Sequence, residues 1–329
     1  SIVGDKMTSA WSLKLSSAIE FIVLSISMSN KYGKLQAEKD EAQNSAIESL
    51  RERNQLMDQS NLILERQVKE RTAKIEYQKE EIVSSIKYAK RIQEAILPSE
   101  EHVKNLLPKS FIFYRPKDVV SGDFYFVESL ETGPNVEDHY TIFAAVDCTG
   151  HGVPGAFMSI VGNDLLKQSL GESAVNSPGK ALNFLNDGVN KTLRRKIDGA
   201  SIHDGMDIAM CSLNHDHSKL MFSGAQNPLY IIRNKSQITT DLSLGSMHKM
   251  AELHDTVLLQ IKGDKHPIGK AFDDTNGTFT DHVVKLFPGD QIILFTDGFA
   301  DQFGGPKGKK YTYRRLREFL LSIYNKPIE

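Results

Sequence analysis

Tyr140-Thr141-Ile142-Phe143-Ala144-Ala145-Val146-Asp147-Cys148-Thr149-Gly150-His151-Gly152-Val153-Pro154-Gly155 is the stretch on which the fold turns. Residues 140–146 are rich in β-branched, aromatic and small apolar side chains, which suit a strand. Asp147 ends that strand, and Gly150 and Gly152 let the backbone turn sharply and approach a ligand. Pro154 stands where the first turn of a helix tolerates a missing amide, so a helix is expected from there to about residue 170. Two other segments end in the same way: Ser121-Gly122-Asp123-Phe124 and Phe295-Thr296-Asp297-Gly298. Carboxylates far apart in sequence, each delivered to a strand end beside a glycine, are suited to caging a hard divalent cation. Asp123, Asp147 and Asp297 are therefore candidate metal ligands. Two cations sharing such carboxylates can activate a water for attack on phosphorus.

Working outward, strands are expected over 111–114, 124–128, 207–213, 219–223, 229–233, 257–261, 283–286 and 291–295. A second helix, capped by Ser177-Pro178, is expected to run to about residue 196, and a basic helix over 313–324. Strands, paired helices and then many antiparallel-looking strands suit an α+β sandwich better than a doubly wound parallel sheet.

The N-terminal third has a different texture. Residues 11–28 are mostly apolar or small, about the minimum for a membrane span, but Lys14 and Glu20 interrupt them. A mid-span carboxylate costs roughly 2.5–3.5 kcal/mol on insertion scales unless it faces other helices. The segment reads either as the last helix of a membrane bundle or as a buried or interfacial amphipathic helix. Lys31, Lys34 and Lys39 follow it and would leave the downstream chain in the cytoplasm. Residues 35–97 contain no proline and accept a heptad register. One seam holds Ile47, Asn54, Asn61, Val68, Ile75, Ile82, Ala89 and Ile96. The other holds Leu50, Met57, Leu64, Arg71, Gln78, Ser85 and Ile92. Asn at two successive a positions fits a register-fixed parallel dimer, and the weak second seam after Leu64 predicts loose pairing. The competing reading is one long surface helix. Pro98 ends it.

Composition sets bounds. At 329 residues, 40% hydrophobic and 25% charged, the chain can bury a real core. A formal net charge of −2 lacks the basic excess of a nucleic-acid binder. The two cysteines, Cys148 and Cys211, are in no metal-ligand spacing, and nothing beside Cys148 marks it as a nucleophile.

Five blocks occur in an order that carries a resemblance. They are Arg115-Pro116-Lys117 through Tyr125, Asp147 through Gly155, Asp204-Gly205-Met206-Asp207, Gly224-Ala225-Gln226-Asn227-Pro228, and Asp297 through Gly305. Together they resemble the metal-dependent type 2C protein serine/threonine phosphatases, in their bacterial sporulation-stage-II-E branch. The resemblance runs from about residue 84 to the end. Residues 14–43 look like the last membrane helix and exit of a seven-transmembrane sensor with diverse intracellular signalling modules. The implied organisation is a membrane-sensor end over 1–34, a coiled-coil signalling helix over 35–97 and a phosphatase domain over 98–329.

The resemblance implies a β-sandwich flanked by helices around two divalent ions, Mn²⁺ or Mg²⁺. Asp147 would bridge both, the backbone carbonyl of Cys148 would bind one, Asp297 the other, and Asp123 would act directly or through waters. Arg115 could hold the substrate phosphate, as guanidinium forks suit phosphate oxygens. His151 lies four residues after the bridging Asp rather than two as in eukaryotic relatives, so a structural turn role and a catalytic one both stand. Asp207 has no assigned role. The family usually ends on a strand with an Asp-Asp pair; Asp273-Asp274 lies before the Asp297 block. A chain clipped at both ends, weak in one metal and low in turnover, is therefore expected, with activity rising when the natural C-terminus is restored.

The implied function is hydrolysis of phosphoserine or phosphothreonine on an anti-sigma-factor antagonist. It would be the output of a membrane receptor that dimerises through the coil, at the inner membrane with the phosphatase domain in the cytoplasm. The alternative is a phosphoprotein-binding module with an incomplete metal site.

Overall fold

The computed structural model describes residues 2–173, 177–193, 204–238, 247–269, 278–306 and 308–327. The expected end of the second helix near residue 196 and the Asp273-Asp274 pair lie outside them. The chain divides into two compact units, Ser1–Glu81 and Ile82–Glu329. Helix α1 covers Ile2–Ile96, uninterrupted because no proline occurs before Pro98.

In the first unit the apolar seam side chains are open to solvent: Ile47, Leu50, Met57, Leu64, Val68 and Ile75 are all exposed. Among the described residues no helix is long and apolar enough to cross a membrane. The expected span over 11–28 is helical but fails that requirement, because Lys14, Glu20 and serines at 12, 16, 17, 25 and 27 dilute its apolar side chains.

The second unit is a four-layer α+β sandwich. One sheet has the order β1-β2-β3-β4-β8, from Phe124–Glu131, His139–Cys148, Met206–Asn214, Lys219–Ala225 and His282–Lys285. The other has the order β6-β7-β5-β9, from Met247–Leu253, Thr256–Ile261, Leu229–Asn234 and Gln291–Ile293. Every pairing within the two sheets is antiparallel. Alternation along β2 decides which side chains go where, because successive residues point to opposite faces. Ile142, Ala144, Val146 and Cys148 are buried in one cluster with Met158 and Leu166 of α3 (Gly152–Ser173) and Leu182 and Leu185 of α4 (Pro178–Leu193). The intervening residues face the other sheet. There Phe143 joins Cys211, Phe222, Ile231 and Leu259 between the two sheets. On the outer face of the second sheet, Tyr230, Ile232 and Leu258 pack with Leu321 of α5 (Tyr313–Ile323).

One local expectation is corrected, and elements outside the sequence reading appear. Residues 111–114 form no strand; Pro108 and Pro116 bracket them, and proline cannot donate to a ladder. A short helix α2 (Glu100–Leu106) follows Pro98, started by Ser99, whose Oγ accepts from the His102 amide at 3.2 Å. Strand β6 pairs β7 through a register shift between Lys249 and Ala251, which breaks the alternation that would have marked it. A hairpin, β10 (Phe303–Gly304) with β11 (Lys309–Lys310), follows the Asp297 turn.

One buried ion pair closes the far side of the sandwich. Arg233 on β5 is 1% exposed and Asp290 3%. The guanidinium donates to Asp290 from Nε at 2.9 Å and from Nη2 at 2.7 Å, donates to the Lys285 carbonyl at 2.8 Å, and lies 4.7 Å over the Phe287 ring. Removing one partner strands the other charge in a dry site. Asp290→Ala should therefore destabilise the domain by about 3–5 kcal/mol in denaturant unfolding. The double change Arg233→Met/Asp290→Leu should cost clearly less, and equal losses would contradict this account.

Candidate metal centre

The register of the first sheet brings the acidic residues together. Antiparallel pairing sets Phe124 opposite Val146, so Asp123, one step earlier, falls beside Asp147. On the other flank of β2, Asp147 pairs directly with Asp207 of β3. Three carboxylates thus stand in a row across adjacent strands, roughly 4.8 Å apart by strand spacing. By the alternation above, Asp147 and Asp207 lie on the face that looks toward the second sheet. Asp297 comes from the turn after β9 of that second sheet, near enough that its charge raises Asp147 while its backbone favours the ionised carboxylate. Thr296 Oγ1 donates to Asp123 Oδ2 at 2.7 Å. Asp207, the residue without a sequence assignment, is a full member of the cluster.

The electrostatics follow from crowding like charges in a half-buried place. Burial, then the charges of Asp123 and Asp297, push the Asp147 carboxyl up to about 8. Burial and Asp297 raise Asp207 to about 6. Asp123 is also raised, by burial first, although Thr296 and a hydrogen bond shared with Asp147 oppose the shift. Tyr313 at the start of α5 feels the same field: burial, then Asp297 and Asp301, lift its hydroxyl to about 12. Among the described residues no three such side chains already stand in ligating geometry. The donor set fits a hard divalent ion: oxygen ligands only, with negative charge that nothing among the described residues neutralises.

Cys148 is split between its two ends. Its side chain lies in the cluster under α3, on the opposite face from Asp147, and burial drives the thiol well above its ordinary range. Only its carbonyl is turned to the turn region, where a Cβ on Gly122 would come within 3.1 Å of it. The same Cβ would stand 2.6 Å from the Gly150 carbonyl, and Gly150 itself has φ +89°. The loops bearing Asp123 and Asp147 can therefore meet only because both positions are glycine.

A glutamine absent from the sequence argument fixes the Asp123 loop. Gln93, in the last turns of α1 and 3% exposed, donates from Nε2 to the Ser121 carbonyl at 2.6 Å and to Ser159 Oγ at 2.8 Å. Its Oε1 accepts the Ser121 amide at 3.1 Å, and Ser121 Oγ accepts the Asp123 amide at 3.0 Å. Its polar position one step from a seam residue gave only a weak signal. His151 is held by Asp118, Nδ1 to Oδ2 at 3.0 Å, on an exposed surface. Arg115 is exposed and makes no ion pair with a described residue.

The sequence profile of the family described as Stage II sporulation protein E (SpoIIE) matches residues 137–329. Among solved structures, the SiaA-PP2C domain of Pseudomonas aeruginosa is similar at 26% identity and a TM-score of 0.58, over 76% of this chain and 85% of that one. The PP2C phosphatase domain of SpoIIE from Bacillus subtilis, solved with a fragment of its regulatory domain, matches at 20% identity and a TM-score of 0.40, over 61% and 48%. The RsbU and RsbW domains of a Mycobacterium tuberculosis protein match at 17% identity and 0.41, over 64% and 48%. The chain spans about half the length of these last two. No curated protein sequence matches it.

A carboxyl held above its ordinary range stabilises the metal-free fold only while protonated. That contribution is complete below about pH 4 and is lost as pH climbs through the raised value near 8. In chelator-treated protein, Asp147→Asn should therefore raise the Tm by several degrees at alkaline pH and by little at pH 4–5. A pH-independent difference would contradict the assignment.

Proposed function

The chain belongs to the stage II sporulation protein E (SpoIIE) family and is a metal-dependent, PP2C-type serine/threonine phosphatase; from that premise we propose that it dephosphorylates a regulatory phosphoprotein as the output of a signalling receptor. The observation that carries the reading is the row of Asp123, Asp147 and Asp207 meeting Asp297 from the facing sheet. Two divalent cations, Mn²⁺ or Mg²⁺, would be held by these carboxylates and by the Cys148 carbonyl. When bound they would supply the positive charge and Lewis acidity that phosphoryl transfer to water requires. The chain's own part is positional. Thr296 orients Asp123, and Gln93 fixes the Ser121 backbone from which Asp123 hangs. Arg115, exposed and without an ion pair to a described residue, would hold the substrate phosphate.

The substrate we infer is a phosphorylated anti-sigma-factor antagonist, the usual partner in the branch that the sequence resembles. Dimerisation through α1 is supported by its exposed Ile, Leu, Met and Val seam with Asn54 and Asn61 at a positions. A rotation or slip of the paired helices would be felt at Asp123 through Gln93. Attachment to the inner membrane, with the phosphatase domain in the cytoplasm, would require the segment before Lys31 to pack against other helices rather than span alone.

Hydrolysis of p-nitrophenyl phosphate should require Mn²⁺ or Mg²⁺ and fall at least about a hundredfold in Asp147→Asn. Wild-type and variant rates that coincide would remove the phosphatase reading for this site. Gln93→Leu strands the Ser121 amide and carbonyl, a loss of about 1–3 kcal/mol. It should raise the Mn²⁺ concentration for half-maximal rate roughly tenfold, with a smaller change in the rate at saturating metal. An unchanged metal requirement would disconnect α1 from the site.

A further inference from the structure

Phe299, two residues beyond Asp297, is the hub of an aromatic group at the edge of the metal centre. Phe113 meets it edge-on at 6.2 Å, Tyr311 edge-on at 5.4 Å, and Phe319 of α5 stacks at 6.4 Å. The rings touch one another yet remain open to solvent: Phe113 is 69% exposed, Phe299 39% and Phe319 43%. Single exposed phenylalanines are ordinary, but contiguous ones mark interaction surfaces.

The charge around them is lopsided. From Phe299 to Ile323 the sequence carries Lys307, Lys309, Lys310, Arg314, Arg315 and Arg317 against Asp301 and Glu318, within a chain of net charge −2. Lys310 is engaged by Asp301 at 2.7 Å and Arg314 by Glu318 at 3.5 Å. Lys309 and Arg315 are exposed and make no ion pair with a described residue. Arg315 precedes Phe319 by four residues, which puts both on one flank of α5.

We propose that this aromatic and basic face docks the phosphorylated protein substrate, with apolar side chains of the substrate on Phe113, Phe299 and Phe319 and its acidic flank on Arg315 and Lys309. The inference rests on the phosphatase reading. Aromatic anchors with arginine are the composition of protein-binding hot spots. Continuity with the site supplies the second argument: Thr296 is bonded to Asp123 and Phe299 follows three residues later, so a short stretch of chain joins this face to the carboxylates. The basic excess selects an anionic partner and disfavours a second copy of the same face, which would repel itself.

The test uses two phosphothreonine peptides, one flanked by Leu and Glu and the other by Gly and Lys, with p-nitrophenyl phosphate as the small substrate. Phe319→Ala and Arg315→Glu should each lower kcat/KM for the Leu/Glu peptide by roughly tenfold, leave the aryl phosphate unchanged, and erase the preference over the Gly/Lys peptide. Phe113→Ala, altering a side chain outside any helix or strand, should repeat the Phe319 result. Fluorescence anisotropy of the labelled Leu/Glu peptide, read without metal, decides docking independently of turnover. Failure of wild-type Mn²⁺-dependent turnover with binding intact would therefore sink the catalytic reading and leave docking standing. Equal peptide binding in wild type and variants would overturn the proposal. So would variants that change only sedimentation with phosphatidylserine vesicles, or only self-association by light scattering, which would reassign the face to a membrane or to a second copy.

Discussion

Four carboxylates crowded at the mouth of the gap between two sheets repel one another, and the fold must hold them there against that repulsion. Antiparallel register does the holding. Once β2 pairs β1 on one side and β3 on the other, Asp123, Asp147 and Asp207 have no choice of neighbour, because a one-residue slip would turn every core side chain of β2 outward. The burial of Ile142, Ala144, Val146 and Cys148 under α3 and α4 is thus also the force that keeps Asp147 in the cluster. Burial and the neighbouring carboxylates raise Asp147, and an oxygen-only donor set of this kind accommodates a hard divalent cation.

Around this row the backbone is fitted without slack. Gly122 and Gly150 approach so closely that no side chain could stand at Gly122, which ties the Asp123 loop to the Asp147 loop. Thr149 adds a second tie, its amide donating to the Gly205 carbonyl at 2.9 Å and its Oγ1 accepting the Gly205 amide at 3.1 Å, so the approach to Asp207 moves with them. Gln93 extends the same set of contacts to the end of α1. The last turns of α1 therefore end on the backbone of the loop that carries Asp123.

Much of this was legible in the sequence. The strand, acidic turn and helix of residues 140–155 announced the α+β sandwich, and the Asp-Gly contexts picked out Asp123, Asp147 and Asp297. Asp207 was visible but could not be assigned, because its meaning lies in a register with Asp147 that no single strand encodes. Gln93 was hidden for a similar reason: one polar residue among many on a charged helix says nothing until its partners 28 and 66 residues away are known. Strand β6 escaped notice because its bulge breaks the period, and residues 111–114 misled because β-prone side chains sit between two prolines. The apolar stretch over 11–28 was suggestive in composition, yet its charges and serines leave it short of a lone span.

The most direct test of the central claim is the anomalous difference density of a crystal grown or soaked with Mn²⁺, collected at the manganese edge. The account predicts metal density bounded by Asp123, Asp147, Asp207 and Asp297, with the Cys148 carbonyl facing it, and its loss in Asp147→Asn crystals treated identically. Manganese bound only elsewhere on the molecule, with the four carboxylates left as they stand, would contradict it.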